Sequence, residues 1–160
     1  MSGKPTASML GHPVHFLSLG FGSGLAPKAP GTFGTLAAIP LYLALANLSS
    51  EIYLLSVILL FLLGIYLCGK TSDELGTHDH GAIVWDEIVG LLATMSFVKC
   101  SLLSVCLGFL LFRLFDILKP WPISWFDKRV HGGFGIMLDD LIAAIFAAGI
   151  LAFIEYLSYI

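Results

Sequence analysis

Residues 52–69 read IYLLSVILLFLLGIYLCG, eighteen positions without a charge. As a helix rising 1.5 Å per residue, such a run is about 27 Å long, close to the roughly 30 Å hydrocarbon core of a bilayer. Four further apolar runs flank it, at 33–48 with Pro40 inside, 82–98, 102–118 and 136–160. They are unbroken, without the period of two or 3.6 that marks a half-buried element. Hydrophobic residues make up 58% of the 160 and charged residues only 12%, where a soluble domain carries about a quarter charged. The expected fold is all-α: a polytopic membrane helix bundle of about five helices. It forms one domain over residues 1–160, with 1–19 as an N-terminal tail holding a short interfacial segment at 14–19. Reading 82–118 as one helix would give about 55 Å, too long for one crossing. Lys99-Cys100-Ser101 divides it.

With five helices, the loops at 20–35, 70–81 and 119–135 fall on one side. That side carries Lys4, Lys28, Lys70, Lys119, Lys128 and Arg129, and the opposite turns hold Lys99. The charge asymmetry predicts that the loop-rich face is cytosolic. Trp121, Trp125 and Phe126 beside Lys128 and Arg129 suit a membrane–water interface. Pro5, His12 and Pro13 interrupt any signal-peptide core, so the first membrane helix is expected to direct insertion. A net charge of -3 without a basic, aromatic-studded patch gives no support for nucleic-acid binding. Cys68, Cys100 and Cys106 lack metal-ligand spacing and read as apolar filler.

The chemistry gathers in four places. In GTHDHGAIVWDEIVG (76–90), Asp86 and Glu87 lie between Ile83-Val84-Trp85 and Ile88-Val89, with His78 and Asp79 just before. A carboxylate carried into a nonpolar layer costs a few kcal/mol and marks a functional site by default; the plainer reading is a helix end at the water boundary. The loop GFGSGLAPKAPGTFGT (20–35) offers Lys28, Gly31, Thr32 and Thr35, with glycines that let backbone N–H groups approach an anion. Arg113, Asp116 and Lys119 recur every third residue, which also fits a simple intrahelical ion pair. Asp139-Asp140 opens the last helix, where one aspartate suffices as a cap. Oxygen ligands from several carboxylates suit a hard cation, Mg2+ above all. His78 and His80 find no third zinc ligand at a suitable spacing. Such a cation with Arg, Lys and a glycine loop is equipment for a phosphate-bearing substrate, and the lipid boundary makes a lipid the natural one.

Four blocks, GFGSGLAPKAPGTFGTLAAIP (20–40), HDHGAIVWDEIVG (78–90), FRLFDILKPWPISWFD (112–127) and HGGFGIMLDDLIA (131–143), together resemble the phosphatidylglycerophosphatase A family of bacteria. The resemblance implies Mg2+-dependent release of the terminal phosphate of phosphatidylglycerophosphate, yielding phosphatidylglycerol, a step of phospholipid biosynthesis at the cytosolic face of the inner membrane. It points to Asp86, Glu87, Asp139 and Asp140 as metal ligands, with Asp116 as a further ligand or general base. Arg113, Lys119 and Lys28 would neutralise phosphate oxygens, and Gly31, Thr32 and His78 would contact substrate. The rival reading is a cation-coupled membrane transporter using the same interfacial carboxylates. Oligomeric state is left open.

Overall fold

The computed structural model describes residues 5–157; Lys4 and the end of the last apolar run lie outside the described residues. Among these residues the chain is helical without strands: α1 (Pro13–Ser18), α2 (Pro30–Leu45), α3 (Ser50–Leu75), α4 (Trp85–Thr94), α5 (Leu102–Leu118), α6 (Ile123–Asp127) and α7 (Gly132–Leu157). Two 3-10 helices, Ala7–Gly11 and Gly20–Leu25, flank α1. The five helices of ten residues or more, α2, α3, α4, α5 and α7, correspond to the five apolar runs. Only α3 and α7, at 26 residues each, are long and apolar enough to cross a membrane.

Local chemistry sets the ends. Pro30 occupies the first turn of α2, where its missing N–H costs nothing. Ser101 starts α5, its Oγ accepting the Ser104 N–H at 3.0 Å. Gly76 closes α3 in the left-handed region at φ +62.

Three expectations are corrected. Asp139 and Asp140 do not open the last helix, because α7 begins at Gly132 and carries them about two turns inside, where neither caps it. The polar stretch 70–81 is not all loop, because α3 runs through Lys70 to Leu75. Its last turns are held by the N-terminal segment. Buried His15 meets Thr71 Oγ1 through Nδ1 at 2.9 Å and Glu74 through Nε2 at 2.8 Å. The run 82–98 is not a seventeen-residue helix either. Only ten residues of it, α4, are helical, about 15 Å of rise.

Beyond its acidic first turn α4 is almost wholly apolar, because protein encloses it. It packs against α2, α3, α5 and α7, and Ile88, Val89, Leu91 and Leu92 are all buried. Three bonds seat it. The Val84 N–H donates to the Ser18 carbonyl at 2.9 Å, the Trp85 Nε1–H to Leu60 at 3.2 Å and the Tyr53 hydroxyl to Leu92 at 2.8 Å. Outward, α3 exposes Leu55, Leu59 and Leu62, and α5 and α7 expose Leu110, Leu114, Ile145 and Phe153. An apolar exterior of that extent marks an interaction surface rather than a water-facing one.

α3 and α7 run antiparallel and touch closely where α3 ends and α7 begins. A Cβ on Gly133 would collide with the Ile65 carbonyl and lie 2.7 Å from Gly69 N. Gly149, further along α7, has nothing within 4 Å of such an atom. Gly133→Ala should therefore lower stability by about 1–3 kcal/mol, as overpacking does. Gly149→Ala should be neutral or stabilising by up to about 1 kcal/mol. Thermal unfolding of both variants in detergent tests this, and equal melting temperatures would refute the close crossing.

Candidate active site

The starts of α2, α4 and α7 and the end of α5 meet at one end of the bundle, around a cleft of about 270 Å³. Larger grooves, of about 640 and 450 Å³, lie elsewhere, and the larger of them holds Glu51, Lys99 and Glu155 as its charged residues. The acid-rich cleft is the small one. Asp79, Asp86, Glu87, Asp116, Asp139 and Asp140 line it together with Arg113 and Lys119, six carboxylates against two cations. The loops expected to share a face do so here, since Gly31, Asp79 and Lys119 all border the cleft.

The expected ligands divide into two groups. Asp86, Glu87 and Asp140 bring ligand oxygens within 4.8 Å of one another. Asp139 is not with them. Successive helix positions turn by about 100°, and Asp139 stands with Asp79 and Asp127 in a second trio of the same span. The sequence groups Asp79 with Asp86 and Glu87 and gives Asp127 no role; the one signal for Asp127 is its place at the end of the block that begins with Phe112.

The cations bind these groups from two sides. Arg113 pairs with Asp116 one turn along α5, and its Nη1 also lies 3.6 Å from Glu87 Oε1. The intrahelical pair foreseen from spacing exists, and it also reaches α4. Lys119 Nζ donates to Asp127 at 2.6 Å and to Asp139. Burial works against the ammonium, yet the charge of Asp139 and the hydrogen bonds that Lys119 donates to both aspartates raise it above its ordinary range. Burial likewise disfavours the Asp127 carboxylate, but the bond and charge of Lys119 win and lower it.

Among the described residues, five buried side-chain atoms lack a hydrogen-bond partner, and four of them belong here: Asp86 Oδ1, Glu87 Oε2, Asp140 Oδ2 and Arg113 Nε. Buried polar atoms are almost always paired, so a cluster of orphans calls for a partner supplied from outside the chain. Three carboxylates with ligand oxygens within 4.8 Å of one another suit a hard cation, and the unpaired Arg113 donor suits an anion beside it.

Backbone shape serves the same place. Ala29, Asp79 and Lys119 adopt left-handed φ of +48, +49 and +41, and all three border the cleft. Such residues cost about 1–2 kcal/mol each and collect at functional sites. A Cβ on Gly31 would strike Glu87 Oε1 and lie 3.0 Å from Arg113 Nη1, so a side chain here would displace the ends of both charged groups. Lys28, Thr32 and His78 are not among the residues that line the cleft. Lys28 is exposed, and exposed His78 packs edge-on against His131, ring centres 5.0 Å apart.

Buried carboxylates beside an arginine with an unpaired donor are chemistry suited to a phosphate-bearing ligand. The model of the family described as phosphatidylglycerophosphatase A matches residues 16–155. A phosphatidylglycerophosphatase A of Escherichia coli K12 is 49% identical over 148 residues, 92% of this chain and 86% of that protein. One of Haemophilus influenzae is 48% identical over 147 residues, 91% of this chain and 90% of that protein. A more distant relative from Bacteroides thetaiotaomicron, 34% identical over 82% of this chain and 86% of that protein, bears the provisional name phosphatidylinositol-3-phosphatase. No solved structure matches the chain. The chain belongs to the phosphatidylglycerophosphatase A family and is a phosphatase.

Gly31→Ala should lower phosphatase turnover at least tenfold, about 1.4 kcal/mol of barrier, by pushing Glu87 and Arg113 apart. Turnover equal to wild type, measured as phosphate release under saturating substrate, would show that this contact does not set the site.

Proposed function

We propose that the protein hydrolyses the terminal phosphate of phosphatidylglycerophosphate to phosphatidylglycerol and inorganic phosphate, a step of phospholipid biosynthesis. The carrying observation is the trio Asp86, Glu87 and Asp140, each with a buried oxygen lacking a partner, beside Arg113. The donor set fits Mg2+: three carboxylates, no sulfur and no imidazole. When bound, Mg2+ would supply Lewis-acid polarisation of the phosphoryl group.

The chain's own groups do the rest. Arg113 is fixed by Asp116 and faces Glu87, which leaves its buried Nε–H to donate to a phosphate oxygen. Lys119 places a second positive charge on the cleft wall. Water attacks phosphorus and Asp116 takes its proton; the phosphorus–oxygen bond to glycerol breaks, and the departing oxygen takes up a proton from solvent to leave as the alcohol. Positioning and charge stabilisation supply most of the rate.

The substrate's acyl chains would stay in the bilayer beside the apolar outer faces of α3, α5 and α7. The exposed cations Lys28, Lys128 and Arg129 lie in the loops that border or flank the cleft, which supports a cytosolic orientation in the bacterial inner membrane. The transporter reading has less behind it, since the two closer relatives are named as phosphatases.

Purified protein in detergent should release phosphate from phosphatidylglycerophosphate with Mg2+ and lose that activity in chelator. Asp86→Asn should lower release by 100-fold or more while the protein stays monodisperse and melts near wild type. Full activity in chelator, or in the Asp86→Asn variant, would overturn the metal assignment.

A further inference from the structure

The two carboxylate trios look alike by spacing. Each spans less than 4.8 Å, and the peptide between Asp139 and Asp140 joins them. A phosphatase with two such groups side by side invites a two-metal reading, in which a pair of cations flanks the phosphoryl group.

The trios differ in what already fills them. Each acid of the first keeps a buried oxygen without a partner, whereas Asp127 and Asp139 keep none. An ammonium already bridges the second trio. Lys119 Nζ bonds Asp127 on α6 and Asp139 on α7, two elements that fix a flexible side chain from both sides. Its third acid, Asp79, stands exposed at the rim and takes no part in the two bonds that hold the lysine.

The backbone builds this clamp. Lys119 caps α5 at φ +41, its N–H still bonded to the Phe115 carbonyl at 2.9 Å, and Pro120 forbids further helix. An ammonium has three donors, and two are spent on the aspartates. One remains on a residue that lines the cleft.

We infer that Lys119, clamped by Asp127 and Asp139, is the second cation of the site, and that the chain binds one divalent ion rather than two. The inference rests on the proposed function above and makes Asp127 a positioning residue. Asp139 then serves the lysine rather than the metal.

Counting Mn2+ bound per chain, by electron paramagnetic resonance of the free ion titrated into the full-length protein in detergent, tests it. Wild type should bind one ion and Lys119→Met two, because the vacated trio then gains an ion. Two ions in wild type would overturn the inference, and so would one ion in a folded Lys119→Met. The wild-type count decides even if that variant fails to fold. No ion in wild type would instead remove the metal reading on which the inference depends. Asp127→Asn should keep one ion and lower kcat about tenfold with KM nearly unchanged, and Asp127→Glu should recover most of the loss. Unchanged kcat in Asp127→Asn would overturn the positioning role.

Discussion

Three carboxylates, Asp86, Glu87 and Asp140, stand within 4.8 Å of one another in the interior of an apolar bundle. At an effective dielectric near 20, each ionised pair at that distance repels by roughly 3 kcal/mol. The fold supplies partial relief. Asp86 and Glu87 lie in the first turn of α4, where the helix dipole contributes about 0.3–1 kcal/mol per charge. Arg113 is shared between Glu87 and Asp116. These terms fall short of three mutual repulsions, so the ionised cluster calls for further positive charge, a proton or the proposed cation. The rest of the structure is arranged so that this shortfall can persist.

Persistence needs a frame that does not yield. α4 carries two of the acids and is surrounded by four other helices. Bonds from Trp85 to the Leu60 carbonyl of α3, from Tyr53 of α3 to the Leu92 carbonyl, and from Val84 to the Ser18 carbonyl set its depth. Gly90 lets the ring of Phe112 press onto α4, which brings α5 and its Arg113 close. Gly31 does the same for α2. Relaxation that would separate the carboxylates therefore costs packing throughout the core.

The second polar group shows the opposite solution to the same problem. Asp127 and Asp139 are compensated within the chain by Lys119, at the expense of a left-handed backbone at a residue with a side chain. One site is satisfied internally and the other waits for a partner. The peptide from Asp139 to Asp140 links them, so the position of the lysine bears on the geometry of the unsatisfied cluster.

Much of this was legible in the chain. Long uncharged runs impose helices, because an apolar segment without periodicity can satisfy its backbone only internally. Acids and cations inside such runs are costly enough to mark the site, and Asp86, Glu87, Arg113, Asp116, Lys119, Asp139 and Asp140 all line the cleft. What sequence could not decide was partition. The run 82–98 reads alike whether lipid or protein surrounds it, and only packing shows that ten of its residues form a helix buried in the bundle. Asp139 and Asp140 are neighbours in sequence, yet one helical step sends them to different clusters. Asp127 gains meaning only because the turn at Lys119 brings α6 back onto α7. Composition and spacing fixed which groups had to be present at one end of the bundle. Which carboxylate faces which cation depends on helix rotation and depth, and those are set by contacts between residues far apart in the chain.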